Sequence, residues 1–233
     1  MYAREIEGQT FSFGVSGKLV RNVLVMYDRQ TESYWSQLLG EAIAGEMAGA
    51  RLEFLPSWQT TWAQWKALYP DTLALEKRFA GSADVYESYY QSGRAGIIGE
   101  TFTDDRLYTK EFVLGVELRN AEKAYPFRFL SLQQLINDNV AGQSLLVFFD
   151  AQNAAGVVYS PVVDGRILTF EETVDPLMIT DTQTNSLWDA FTGHAVEGPL
   201  VGRELERLKS TTIFWFGWKD FFPDTLVYGI DGG

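Results

Sequence analysis

The sequence predicts a mainly β protein with a few short helices, built as two related barrel- or sandwich-like modules from an internal duplication. Short runs of alternating aromatic and β-branched residues recur along the chain, punctuated by Gly, Asn and Asp turn signals. One phrase also occurs twice: YDRQTESYW at 27–35 and TDTQTNSLW at 180–188. Its neighbours repeat with it at a constant spacing of 153 residues, far beyond the 20–50 of a solenoid.

The repeat runs without a gap. Asp28, Gln30, Thr31, Ser33 and Trp35 match Asp181, Gln183, Thr184, Ser186 and Trp188; Gly40, Gly45 and Gly49 match Gly193, Gly198 and Gly202. Trp62, Trp65 and Lys66 then match Trp215, Trp218 and Lys219, and Pro70–Leu73 matches Pro223–Leu226. Upstream, GQTFSF at 8–13 resembles GRILTF at 165–170 with a shift of about four residues. The second copy has a front part, 111–164, without a counterpart, so the first module is expected to lack its front half. The expected organisation is 1–75 as the back of the first module, 76–110 as a connector, and 111–233 as the second, more complete module.

Taken in order, Thr10–Val15 and Val23–Tyr27 read as strands. Asp28 opens a hairpin turn, because Asp accepts from backbone N–H groups two residues on. Trp35 begins the next strand as a core anchor. The three glycines suit turns or bulges that need positive φ. Arg51–Leu55 and Glu204–Leu208 read as further strands. Thr61 and Gln64 fit a capping box for a short helix whose aromatic face is Trp62, Trp65 and Tyr69, ended by Pro70. Trp215, Trp218 and Phe222 keep that face in the second copy. The connector carries Tyr86, Tyr89 and Tyr90, expected to pack it onto a module. Phe112–Leu118 and Ser144–Phe149 read as strands, Phe129–Ile136 as a helix, and Asn137-Asp138-Asn139 as a turn.

Composition narrows the function. A net charge of −12 disfavours nucleic acid and anionic membrane surfaces, which require clustered Lys and Arg. It predicts a self-repelling, soluble surface. Without cysteine there is no thiolate, disulfide or zinc–thiolate site. No run of 18 apolar residues is present to span a bilayer, and MYAREIEGQT carries no apolar signal segment. His194, the only histidine, has no nucleophile signature around it. Asp28 and Asp181 hold equivalent places, which suits architecture better than the asymmetric acid and base of glycoside hydrolysis. No cofactor or metal set is evident, and the reading leans away from an enzyme.

Several phrases together resemble the family catalogued as domain of unknown function 3179. They are Val25-Met26-Tyr27-Asp28, Trp35-Ser36-Gln37, Gly40 to Gly45 and the Trp62–Leu73 helix, then Val113-Leu114-Gly115-Val116, Ala124-Tyr125-Pro126, Asn137-Asp138 and Phe214–Thr225. The likeness covers the family's middle and C-terminal parts. It implies a His-Glu pair and a Cys-Pro-Leu-Cys motif ahead of this chain's start, making the chain a fragment or shortened member. In the second module Gln133 and Gln134 stand in the His-Glu places, and Asp150 and Asn153 in those of the cysteines. A redox or metal role therefore does not carry over to these positions. The resemblance also implies an extracytoplasmic location.

The favoured reading is a non-catalytic binding or structural module that meets a protein or small molecule in the groove between its halves. The alternative is part of a redox- or metal-dependent enzyme whose Cys-containing front half is absent. Residues that differ between copies are the better candidates for specialisation. Arg29, Gln37, Glu41 and His194, with Trp35 beside them, are the expected ligand contacts. An open sheet edge in the incomplete first module predicts pairing with a second copy or partner subunit.

Overall fold

The computed structural model describes residues 1–57, 59–76 and 86–231. The chain opens with a small hairpin of β1 (Glu5–Ile6) and β2 (Gln9–Thr10). A meander follows, with β3 (Phe13–Val20), β4 (Val23–Asp28), β5 (Tyr34–Ser36) and β6 (Glu41–Ala44) paired in that order. Next come two helices, α1 (Trp62–Leu68) and α2 (Glu87–Gln91). The middle of the chain holds β7 (Phe112–Glu117), β8 (Glu122–Pro126), α3 (Phe127–Leu130), β9 (Leu135–Val140), β10 (Gln143–Asp150) and β11 (Ala155–Ser160).

A second hairpin, β12 (Val162–Val163) and β13 (Arg166–Ile167), leads into a second meander. Its strands are β14 (Phe170–Glu172), β15 (Met178–Asp181), β16 (Leu187–Asp189) and β17 (Ala195–Glu197). The remaining elements are β18 (Glu206–Arg207), β19 (Ser210–Phe214), α4 (Trp215–Phe221) and β20 (Leu226–Val227).

The architecture is mainly β, and no sheet among the described residues closes. Two further four-stranded sheets run β18-β11-β10-β9 and β19-β7-β8-β20. Four strands are too few to wrap a packed interior, so the barrel expectation gives way to stacked open sheets. Alternation along β10 builds the stack, because successive side chains leave opposite faces. Leu146 and Phe148 join the core around Trp188 and Phe191, whereas Leu145, Val147 and Phe149 join the one holding Leu114 and Tyr125. In turn β7 sends Leu114 and Val116 to that second core, and Val113 to a third with Trp215 and Trp218 of α4. The uninterrupted apolar run in β10 follows from being covered on both sides. The first meander has a smaller core around Trp35, Ala42 and Leu52.

The repeated phrase folds as expected. Asp28 accepts the N–H groups of Gln30 (3.1 Å) and Thr31 (2.6 Å), and its second oxygen accepts Trp35 Nε1–H at 2.9 Å. Asp181 accepts Thr184 N–H at 2.6 Å and Trp188 Nε1–H at 3.0 Å. Phe13 meets Trp35 edge-on at 5.5 Å, and Phe170 meets Trp188 at 5.7 Å. Gly45 (φ +99°) and Gly198 (φ +90°) allow the chain to press against Ser33 and Ser186, where a Cβ would sit 2.7 Å from the serine Cα.

Some elements differ from expectation. Residues 129–136 are not a helix: α3 stops at Leu130, and β9 takes in the Asn137-Asp138-Asn139 expected to turn. Asn137 instead brackets Phe170, donating to its carbonyl at 2.8 Å and accepting its N–H at 2.9 Å. The turn falls at Ala141-Gly142, both at positive φ. Arg51–Leu55 makes only isolated bridges, Arg51 to Glu41 and Phe54 to Tyr2, and the strand expected over Glu204–Leu208 shortens to β18.

Thr61 accepts the Gln64 N–H at 3.2 Å, but the Gln64 side chain turns away, so the capping box is half made. In α1, Trp62 is 53% exposed, whereas the matching Trp215 of α4 is 0% exposed. The connector contains α2, and its residues 77–85 lie outside those described. Tyr86 and Tyr90 are exposed; Tyr90 touches the Phe214 ring at 6.2 Å, and the Tyr89 carbonyl accepts Lys110 Nζ.

Candidate functional site

A cavity of about 280 Å³ lies where the first meander meets the β19-β7-β8-β20 sheet. Gln37 and Leu38, just past β5, form one side. The extended segment before α1 contributes Phe54, Ser57 and Gln59. From the other half come Leu114 of β7, Gly156 of β11, and Ser210, Thr211 and Thr212 of β19. Gly156 is bare because a Cβ there would meet the Leu114 side chain at 2.8 Å.

The floor of the cavity is fixed by Tyr2, whose hydroxyl donates to the Leu38 carbonyl at 2.6 Å and whose ring meets Phe54 edge-on. Burial, and then the Glu117 charge, push the Tyr2 hydroxyl up to about 12. The Met1 α-amino group donates to Ser57 Oγ at 3.0 Å; burial and then Lys209 hold it below its ordinary value. Beneath Leu38, Lys209 pairs with Glu117 at 3.4 Å and reaches the Leu39 carbonyl at 3.5 Å.

Next to the cavity along the chain, a polar staple joins α1 to the β10–β11 turn. Gln64 Nε2 donates to Asp150 Oδ2 at 2.6 Å, Asn153 Nδ2 donates to the same oxygen at 2.7 Å, and Thr61 Oγ donates to Asn153 Oδ1 at 2.6 Å. The carboxylate is saturated, since Oδ1 also accepts the Gln152 and Asn153 N–H groups. Gln133 accepts the Tyr228 hydroxyl at 2.9 Å, and the Gln134 carbonyl accepts the Phe149 N–H. Among the described residues no group of three or more His, Asp or Glu side chains is arranged to hold a metal ion.

The expected ligand contacts are dispersed. Only Gln37 lines the seam cavity. Trp35 is fully enclosed beside Asp28. Arg29 is exposed and donates to the Tyr27 hydroxyl at 3.1 Å. Glu41 pairs with Arg51 at 2.8 Å. His194 sits 3.8 Å from Glu204 in a separate, wider groove of about 670 Å³ that Asp189, Glu206, Arg207 and Tyr69 also line.

Sequence reasoning missed Ser57, Gln59 and Ser210–Thr212. Its available signal was the polar Ser-Thr-Thr run just ahead of the apolar IFWFGW. It also missed a buried ion pair, Lys123 with Asp138 at 2.8 Å, where the Tyr125 hydroxyl donates to the same carboxylate at 2.7 Å. Burial alone raises Asp138, but the bonds from Lys123 and Tyr125 outweigh it and hold the carboxyl below its usual range. Two phrases of the family resemblance, Ala124-Tyr125-Pro126 and Asn137-Asp138, meet in the Tyr125–Asp138 hydrogen bond.

Fold and site define a mainly β protein of stacked open sheets with a polar cavity where the first meander meets the β19-β7-β8-β20 sheet. No described helix is long and apolar enough to cross a membrane. The chain belongs to the family described as Protein of unknown function (DUF3179), whose model matches residues 1–225. No curated protein and no solved structure matches it.

Proposed function

We propose that the chain is a non-catalytic binding protein made of two related modules, 1–75 and 111–233, joined by 76–110, with its ligand site in the seam cavity. Relatedness is supported by bonds that recur at the 153-residue spacing. Ser33 Oγ accepts the Met47 N–H at 3.0 Å and Ser186 Oγ the Leu200 N–H at 3.0 Å; Trp65 and Trp218 each donate to a threonine hydroxyl at 2.9 Å.

The observation that carries the binding reading is the lining itself, where amide and hydroxyl side chains from both modules converge on one space. Acid–base chemistry needs a group that titrates near the working pH. Tyr2, the titratable side chain in the described lining, is both pushed up to about 12 and bonded to Leu38, and the Met1 α-amino group, though held below its ordinary value, is engaged by Ser57. In a small-fragment screen followed by NMR, the amide resonances of Gln37, Gln59 and Thr211 should move first and together. Hits confined to other surfaces count against the site.

A second reading, self-association, is favoured by the bare face of α1. Trp62 and Tyr69 are exposed there, with Leu73 and Leu75 beyond, and the occupant we assign is the same face of a second copy. Sedimentation velocity should show a concentration-dependent dimer that Trp62→Glu abolishes. A monomer at every concentration removes this reading.

A further inference from the structure

We infer that the seam cavity takes a neutral, hydroxyl-bearing ring of single-monosaccharide size. This rests on the proposed binding reading and narrows its ligand.

Charge comes first. Apart from the Met1 α-amino group, already bonded to Ser57, the described lining carries no charged side chain, although the chain as a whole is at −12. The nearest ions below, Lys209 and Glu117, neutralise each other. A cation moved from water into such a space finds no counter-charge, and an anion finds only the Met1 amino group, engaged by Ser57 and disfavoured in its charged form by burial; an uncompensated buried ion costs several kcal/mol. The cavity therefore selects against carboxylates, phosphates and amines alike.

Bonding chemistry comes next. Gln37 and Gln59 each offer two N–H donors and a carbonyl acceptor, and Ser210 and Thr212, which share the Leu114 face of β19, each offer a hydroxyl that donates or accepts. A ligand hydroxyl has the same dual character, so a ring bearing several can match groups arriving from opposite walls. The apolar part of the lining has a complementary use. Tyr2 and Phe54, set edge to face at 6.1 Å, lie with Leu38 and Leu114 where the C–H face of a sugar ring can lie against carbon.

Size narrows the class further. At about 280 Å³ the space lies just below the roughly 300 to 1,000 Å³ of drug-sized ligand sites. One ring fits, and a longer chain has to leave through the mouth.

The test is a titration of the full chain with methyl β-D-glucopyranoside, N-acetylglucosamine and myo-inositol. Glucuronate and glucosamine serve as charged counterparts, and binding is read by saturation-transfer NMR and calorimetry. At least one neutral ring should bind, and glucuronate and glucosamine should not. Thr212→Val and, independently, Gln59→Leu should each weaken that binding about tenfold, in line with one lost hydrogen bond, with an unchanged melting temperature. Equal binding of the charged sugars, or neutral binding that neither variant weakens, overturns the inference. If other fragments shift Gln37 and Thr211 while no sugar binds, the sugar class falls and the cavity reading stands. If nothing moves those resonances, both fall.

Discussion

Replacing Asp181 with alanine lowers the unfolding free energy by roughly 3–5 kcal/mol, the range for stripping one partner from a buried charged network. The side chain is fully buried, and four donors end on it: Thr184 N–H at 2.6 Å, Thr184 Oγ at 2.8 Å, Trp188 Nε1–H at 3.0 Å and Ser186 N–H at 3.1 Å. Alanine leaves those donors facing a void, each without the water that would satisfy it in the unfolded chain. Urea denaturation at pH 7 measures the loss.

The same carboxylate sets a pH dependence. Burial raises it, but the bonds from Trp188, Thr184 and Ser186 outweigh burial and hold it below the ordinary range; Asp28 is held low in the same way by Trp35, Thr31 and Gln30. A carboxyl depressed in the folded state binds its proton more readily in the unfolded chain. Its stabilisation is complete above the unfolded value of about 3.9 and is lost as pH falls through the folded value. Wild-type stability should therefore fall on acidification below about pH 4, and Asp181→Asn should flatten that fall by removing one of the carboxyls held low, which also include Asp104 and Asp138. An equal slope in the variant contradicts the assignment.

Trp218→Ala costs roughly 3–5 kcal/mol, as large aromatic truncations in a packed core do, whereas Trp65→Ala, at the matching position of α1, costs about 1 kcal/mol. Trp218 is 1% exposed and lies against Gly115, where a Cβ would come within 2.3 Å of the indole. Trp65 keeps the hydrogen bond to Thr72 and a 4.5 Å ring contact with Tyr69, but α1 buries none of its residues. Parallel melts of the two variants read the difference. Similar losses mean that α1 is covered in solution, as the self-association reading requires at dimer-forming concentrations.

What could be read from the chain was what the chain decides locally. The Asp28 turn, the Trp35 anchor and the positive-φ glycines follow from bonds that span two to seven residues, and each fell in its expected place. Strand β9 could not be read so. Asn-Asp-Asn has turn chemistry, but pairing with β10, Asn137 opposite Leu146, makes it a strand, and its side chains are engaged by Phe170, 33 residues on, and by Lys123. Nor could the exposure of α1, because its aromatic face has the same spacing as that of α4. The two differ in the sheet beside them, which the helix sequence does not encode. The cavity was harder still. Its walls come from segments far apart in the chain, and only Gln37 was singled out, on the ground that it differs between the copies.

The pairing pattern also fixes an order of events during synthesis. The first meander closes strand on strand within residues 13–44, so it can form as soon as it leaves the ribosome. The sheet that carries α4 cannot. Its β7 waits for β19, with Val116 meeting Ser210, and its β8 waits for β20, with Lys123 meeting Leu226 in parallel. Loops of that length close slowly. Until α4 and Val227 emerge, the face of β7 and β8 that carries Val113 and Ala124 remains uncovered, and a pause in translation before those codons leaves that face exposed to chaperones and to aggregation.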